Sequence, residues 1–132
     1  MRKLLLLVPI ALVLSACGGT SGGTGSPNQG HLGEVAGLKG TTLTLILKDF
    51  TITPQNVTLP KKGAYTLVIW NEGSQLHSLK IEGNGLTAKA KQITFGNKTS
   101  LKVTFKKAGK YPMYCPVDSH KDLGMTGTIT VG

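Results

Sequence analysis

Apolar and polar residues alternate repeatedly from about residue 37 to the end of the chain. A period of two residues is typical of half-buried β-strands, and no segment there has the apolar repeat of an amphipathic helix. The clearest strands are predicted at Leu43–Leu47, Tyr65–Ile69, Leu101–Phe105 and Met125–Val131. Weaker strands are predicted at Val57–Leu59, His77–Ile81, Gln92–Phe95 and Lys110–Cys115. Turn residues, mainly glycine and asparagine, separate these runs.

Seven or eight short strands at this spacing predict an all-β fold, a Greek-key antiparallel β-sandwich. The residues from 37 to 132 are enough to bury one modest core, and they show no internal repeat. We therefore expect a single folded domain over 37–132.

The first 36 residues have a different composition. A short basic start is followed by an apolar run from Leu4 to Leu14 and by two small residues, which is the pattern of a secretory signal. The tetrad Leu14-Ser15-Ala16-Cys17 resembles the lipobox of bacterial lipoproteins, in which the cysteine becomes the first mature residue and carries the lipid. We expect a signal peptide over 1–16 and a lipidated Cys17 with a flexible tether over 17–36. The alternative is a plain secretory signal in which Cys17 has no such role.

The net charge of the chain favours some classes of binding partner over others. The full chain has 15 Lys+Arg against 6 Asp+Glu, a net charge of +9. Cleavage before Cys17 removes Arg2 and Lys3, which leaves +7 on a chain whose basic residues are all lysine. Arginine is the favoured residue for bidentate phosphate and base contacts, so its absence argues against nucleic acid. An acidic protein partner fits the excess of lysine better.

The two cysteines predict different roles. With Cys17 lipidated, Cys115 has no cysteine partner in the chain, and a lone thiol in an exported protein is prone to oxidation. Four residues separate Cys115 from His120, and four separate His120 from Met125. The strand alternation points Cys115, Met125 and the distant His77 inward at strand ends, where such residues can meet at one pole of a sandwich. Two imidazoles and a thiolate with a weak axial thioether form the ligand set of a blue-copper electron-transfer site.

These segments resemble the cupredoxins. The run from Gly109 through Cys115-Pro116 to His120 and Met125 is similar to their copper loop, and Trp70–Ser78 is similar to their first-histidine region. The resemblance covers most of residues 41 to 132, including the start Phe50–Pro54. The four-residue gaps on both sides of His120 are most similar to rusticyanin-like and sulfocyanin-like members.

The resemblance implies one type 1 copper ion, one-electron transfer and no enzymatic activity. It implies His77, Cys115 and His120 as equatorial ligands and Met125 as the axial one. Asn71 and Ser78 are expected to lie next to these ligands and support them. Many members have asparagine where this chain has Ser78, and many loops of this length have glycine where it has Ser119.

The resemblance also implies a docking surface. His120 would present its outer edge to solvent as the electron port, inside an apolar patch formed by Pro116, Val117 and Leu123. Nearby lysines, including Lys121, would steer an acidic cytochrome-like or oxidase-like partner. We expect a monomer on the extracytoplasmic, periplasmic side of a bacterial membrane.

The sequence leaves three hypotheses about the function open. The first is the membrane-anchored electron shuttle. The second is a copper carrier that uses the same ligands to deliver the metal. The third is a metal-free envelope β-sandwich. Zinc is a competing metal for two histidines and a cysteine, although a thioether is not one of its usual ligands.

Overall fold

A computed structural model describes residues 36–132, which form ten β-strands and no helix. The strands are β1 Gly37–Lys39, β2 Thr42–Lys48, β3 Thr51–Thr53, β4 Asn56–Leu59, β5 Gly63–Asn71, β6 Lys80–Gly83, β7 Leu86–Lys89, β8 Lys98–Phe105, β9 Gly109–Tyr114 and β10 Thr126–Val131. Within this part of the chain, no helix is long and apolar enough to cross a membrane. The predicted signal peptide, Cys17 and almost all of the predicted tether lie outside the described residues.

The strands form two five-stranded sheets. The first sheet has the order β1-β2-β5-β8, with β3 also paired to β2. The second sheet has the order β4-β10-β9-β6-β7. Eight-residue β8 lies at one edge of the first sheet and pairs with β5 alone among the described strands. The site described below lies where chain connections from both sheets meet.

The predicted β-sandwich is confirmed, but the sheets are mixed rather than wholly antiparallel. Two strand pairs are parallel, β2 with β5 and β4 with β10, and the others are antiparallel. Each parallel pair joins strands that are not consecutive in the chain, and local alternation gives no information about the direction of such a partner.

The core is made by the inward positions that the alternation predicts. Leu43, Leu45 and Leu47 of β2 are fully buried, as are Leu67 and Ile69 of β5. The second sheet contributes buried side chains from β9 and β10, among them Tyr111, Met113, Ile129 and Val131. The two inner faces therefore enclose one hydrophobic core.

The strand count exceeds the predicted seven or eight because three strands are very short or weakly patterned. Strands β1 and β3 have three residues each, and β7 has no buried residue. A two-residue turn at Asn84-Gly85 joins β6 to β7, with φ of 50° and 81°, as a tight hairpin turn requires. The strand predicted at Gln92–Phe95 is absent, and Ile93 alone makes a bridge to His77.

Candidate metal centre

Three buried side chains converge at one end of the sandwich. The Nδ1 atoms of His77 and His120 are 3.2 Å apart, and the Sγ atom of Cys115 lies 3.8 Å from the first and 3.6 Å from the second. The circle through these atoms has a radius of about 2 Å, the length of a metal–imidazole bond. The three residues are the sequence-predicted equatorial ligands, and the fold brings them together.

The backbone holds the ligands from two directions. His77 lies in the connection between β5 and β6, and its N–H and C=O both pair with Ile93, at 3.1 and 2.7 Å. Cys115 directly follows β9, and its N–H donates to the carbonyl of Met125 at 3.1 Å. The Met125 N–H in turn donates to the carbonyl of His120 at 3.0 Å. The loop from β9 to β10 is thus closed by hydrogen bonds between its own predicted ligands.

Met125 is fully buried immediately before β10, on the same strand face as Ile129 and Val131. The predicted inward parity is therefore observed for this side chain. Its backbone contacts to Cys115 and His120 place it within the ligand loop. Its role as the axial ligand stays a prediction.

The outer nitrogen of each imidazole faces an acceptor. His77 Nε2 lies 3.0 Å from a carboxylate oxygen of Asp49, and His120 Nε2 lies 3.1 Å from the side-chain oxygen of Gln75. Facing these acceptors, each Nε2 is placed to carry a proton, and a ring that carries only this proton has a lone pair on Nδ1. Two lone pairs and a sulfur that face one another at these distances fit a cation between them. The donor set, two imidazole nitrogens and a thiolate, is one that copper favours.

Asp49 lies in the turn after β2 and binds the segment that precedes His77. Its carboxylate accepts hydrogen bonds from the backbone N–H groups of Ser74 and Gln75, at 3.0 and 3.2 Å, and from the Ser74 hydroxyl. The Ser74 hydroxyl and then His77 hold the pKa of Asp49 well below its ordinary value. Asp49 therefore stays ionised beside the His77 ring at neutral pH.

Gly73 makes this close approach possible. A Cβ at this position would lie 2.7 Å from His77 Nε2 and would also collide with the Asp49 carboxylate. The residue has no left-handed φ, so the requirement is for space rather than for an unusual backbone conformation. Absence of a side chain at Gly73 is what lets Asp49 reach His77.

The two predicted supporting residues lie beside the ligands. Ser78 donates its backbone N–H to the Cys115 sulfur at 3.5 Å, whereas its hydroxyl donates to the Ala90 carbonyl at 2.9 Å. Fully buried Asn71 donates to the carbonyls of Gln75 and Ile93, at 2.8 and 2.6 Å, and accepts from the Gly73 N–H. Ser78 thus acts on a ligand through its backbone, and Asn71 acts through the two segments that flank His77.

The surface around His120 differs from the expected electron port. His120 is only 4% exposed, because Gln75 covers its outer nitrogen and the Phe50 ring packs edge-on at 5.2 Å. Of the predicted patch residues, Leu123 is 58% exposed, Pro116 is half-buried and Val117 is buried. Leu76 and Phe95 are the other exposed large apolar residues among those described, and both lie on connections near the ligands. Whether Pro116, Val117 and Leu123 form a docking patch stays a prediction.

Sequence reasoning missed Asp49, Gln75 and Phe50. Asp49 is 28 positions from His77, and Gln75 is 45 positions from His120. No spacing motif links them to the ligands. Asp49 and Gln75 sit in a turn and a loop, where polar residues are ordinary. The one available signal was that Gln75 lies two residues before a predicted ligand.

Known proteins resemble this chain in sequence profile and in fold. The sequence profile of the Cupredoxin-like domain family matches residues 28–131. No curated protein sequence matches the chain.

Several solved structures share the fold at low sequence identity. Reduced auracyanin from the photosynthetic bacterium Roseiflexus castenholzii is 19% identical, with a TM-score of 0.64 over 70% of this chain and 97% of that one. Auracyanin B is 16% identical, with a TM-score of 0.63 over 78% and 96%. The azurin Az-iso2 of the methylotroph Methylomonas sp. strain J is 16% identical, with a TM-score of 0.61 over 71% and 99%.

Proposed function

The chain belongs to the cupredoxin-like family, and we propose that it is a blue-copper electron carrier. His77, Cys115 and His120 would hold one copper ion, with Met125 as the axial ligand. The observation that supports this most is the buried triangle of two Nδ1 atoms and one Sγ atom, whose size suits a bound metal. Bound copper would supply a one-electron couple, and no substrate bond is made or broken.

The chain's own residues restrict movement at the site. Hydrogen bonds to Asp49 and Gln75 fix the rotation of the two imidazole rings. The Ser78 N–H donates to the Cys115 sulfur, which helps to hold the ligand atom in place. Cys115 is fully buried, so the sulfur is shielded from solvent oxidants. A ligand set that is already oriented reorganises little when an electron arrives or leaves.

The partner we propose is an acidic redox protein of the cytochrome or oxidase class. Exposed Lys121 and Leu123 both lie in the loop that contains His120, and the excess of lysine over the whole chain supports steering of an acidic partner. Weak redox encounters use small interfaces of this kind. We further propose that the protein acts as a monomer.

For location, we propose a lipid anchor at Cys17 on the extracytoplasmic, periplasmic side of a bacterial membrane. The lipobox-like tetrad and the glycine-rich residues after it support this. In cells, Cys17→Ser should move the protein from the membrane fraction to the soluble periplasmic fraction. Recovery of both forms in the same fraction would contradict the anchor.

A visible absorption spectrum tests the copper site. With one equivalent of Cu(II), the protein should show an intense thiolate-to-copper band that bleaches on reduction and returns on oxidation. Cys115→Ser should abolish the band, whereas Cys17→Ser, the matched cysteine control, should keep it. Absence of the band at full copper loading would overturn the assignment. Colourless Cu(I) binding with ready transfer to a chelator would instead indicate copper delivery.

A further inference from the structure

The two ligand imidazoles have unequal hydrogen-bond partners. His77 Nε2 donates to a carboxylate, from Asp49, whereas His120 Nε2 donates to a neutral amide, from Gln75. A carboxylate that accepts a hydrogen bond from one ring nitrogen makes the other nitrogen more basic, so this nitrogen gives its lone pair to a metal more strongly. A neutral amide has the same effect to a much smaller degree. The two rings are therefore chemically different although both present Nδ1 to the same point.

The Asp49 contact is built into the fold. The carboxylate has hydrogen bonds from Ser74 and from the Gln75 N–H in addition to the one from His77. Gly73 leaves the space that the contact needs. Because Gln75 itself contacts His120, Asp49 acts on both ligand rings, directly on His77 and through the Gln75 backbone on His120.

We propose that Asp49 is a positioning residue that makes His77 the stronger imidazole donor and so stabilises Cu(II) relative to Cu(I). This rests on the proposed function. The equilibrium concerned is the addition of one electron from a redox partner protein, with no bond broken and no proton leaving Asp49 or His77. Negative charge and nitrogen donation both favour the more highly charged ion.

The structure offers a matched control for the charge. Glu72 lines the same surface depression as Asp49, and its side chain is 22% exposed, against 32% for Asp49. Glu72 pairs with Lys48 at 3.3 Å, and none of its described contacts is to a ligand side chain. Asp49→Asn and Glu72→Gln each remove one carboxylate charge, but only the first removes it from a ligand's partner.

A redox titration of the copper-loaded protein compares the two variants. Asp49→Asn should weaken Cu(II) binding about tenfold relative to Cu(I), which is a rise of about 59 mV in the reduction potential. Glu72→Gln should give less than about a third of that rise, because Glu72 contacts no ligand side chain and its charge is offset by the paired Lys48. An equal shift in both variants, or no shift in Asp49→Asn, would overturn the proposal.

A second measurement does not need copper. In the metal-free wild-type protein, imidazole nitrogen NMR should show His77 with its proton on Nε2 alone. Asp49→Ala should give a mixture of the two tautomers, whereas Glu72→Gln should not, and circular dichroism would check that both variants are folded. An unchanged His77 tautomer in folded Asp49→Ala would overturn the proposal. If the wild type gave no blue band, the proposed function would fail, and the NMR result would still decide whether Asp49 positions His77.

Discussion

Gly73→Ala should damage the candidate metal centre although residue 73 is not a ligand. The added Cβ would lie 2.7 Å from His77 Nε2 and 2.8 Å from the Asp49 backbone nitrogen. Ordinary contacts of a Cβ begin at 3.4 Å. The His77 ring must therefore move about 0.7 Å away from the segment that contains residue 73. A shift of that size between His77 and Asp49 lengthens their 3.0 Å contact beyond hydrogen-bond range.

Two effects of different size should follow. Overpacking of a well-packed site costs about 1–3 kcal/mol of unfolding free energy. For a domain of this length, each 1 kcal/mol lowers the melting temperature by about 4–8 °C. Loss of the partner that orients a ligand imidazole reduces metal affinity by about 10- to 100-fold. Urea unfolding of the metal-free protein measures the first effect, and Cu(II) competition with a chelator measures the second.

Gly127→Ala is the matched control. A Cβ at Gly127 in β10 would lie 2.7 Å from the Met113 side chain and would also collide with the Gln55 carbonyl. This variant should lose a similar amount of stability and keep its copper affinity within about threefold, because neither contact is to a ligand side chain or its partner. The reasoning would be refuted if Gly73→Ala bound copper as tightly as the wild type, or if both variants lost affinity equally.

Three other changes have defined outcomes. Asn71→Leu leaves the buried Gly73 N–H without its partner and removes one of the two hydrogen bonds to the Ile93 carbonyl, so urea unfolding should show a loss of about 1–3 kcal/mol. Met125→Leu nearly conserves the side-chain volume, so the free energy of unfolding should fall by less than about 1.5 kcal/mol. If Met125 is the axial ligand, this change also removes its lone pair, and a redox titration should show a higher reduction potential while the blue band remains. Hydrogen bonds, chiefly from Lys80, lower the pKa of Glu82 from its ordinary 4.5. The ionised Glu82 carboxylate therefore contributes to folding stability above pH 4.5, and this contribution is lost as the pH falls through the lowered pKa. Urea midpoints at stepped pH should fall more steeply below 4.5 in the wild type than in Glu82→Gln.

The ligand triangle could be predicted because local patterns carried the information: strand alternation for His77 and Cys115, and spacing along the loop for His120. Alternation with Leu79 and Ile81 pointed His77 inward, and alternation with Tyr111 and Met113 did the same for Cys115. All six side chains are buried in the structure. Strand parity is set by the backbone itself, so it can be read without knowing the partner strand.

The partners of the ligands could not be predicted for the opposite reason. Asp49 meets His77, and Gln75 meets His120, only because turns from distant parts of the chain pack together. The strand expected at Gln92–Phe95 is reduced to the bridge between Ile93 and His77. The Ile93 carbonyl also accepts from the Asn71 side chain, and the Asn71 carbonyl accepts from the Gly96 N–H. A side chain that competes for backbone groups leaves no trace in the local hydropathy pattern.

The edge position of β8 has a consequence for solubility. An eight-residue strand that pairs on one side only, as β8 does among the described strands, is a template on which a second copy could add its own strand. Exposed Lys98 and Lys102 project from β8, and exposed Lys106 follows it. Two such edges brought together would place like charges side by side, which disfavours β-aggregation where many copies share a confined space.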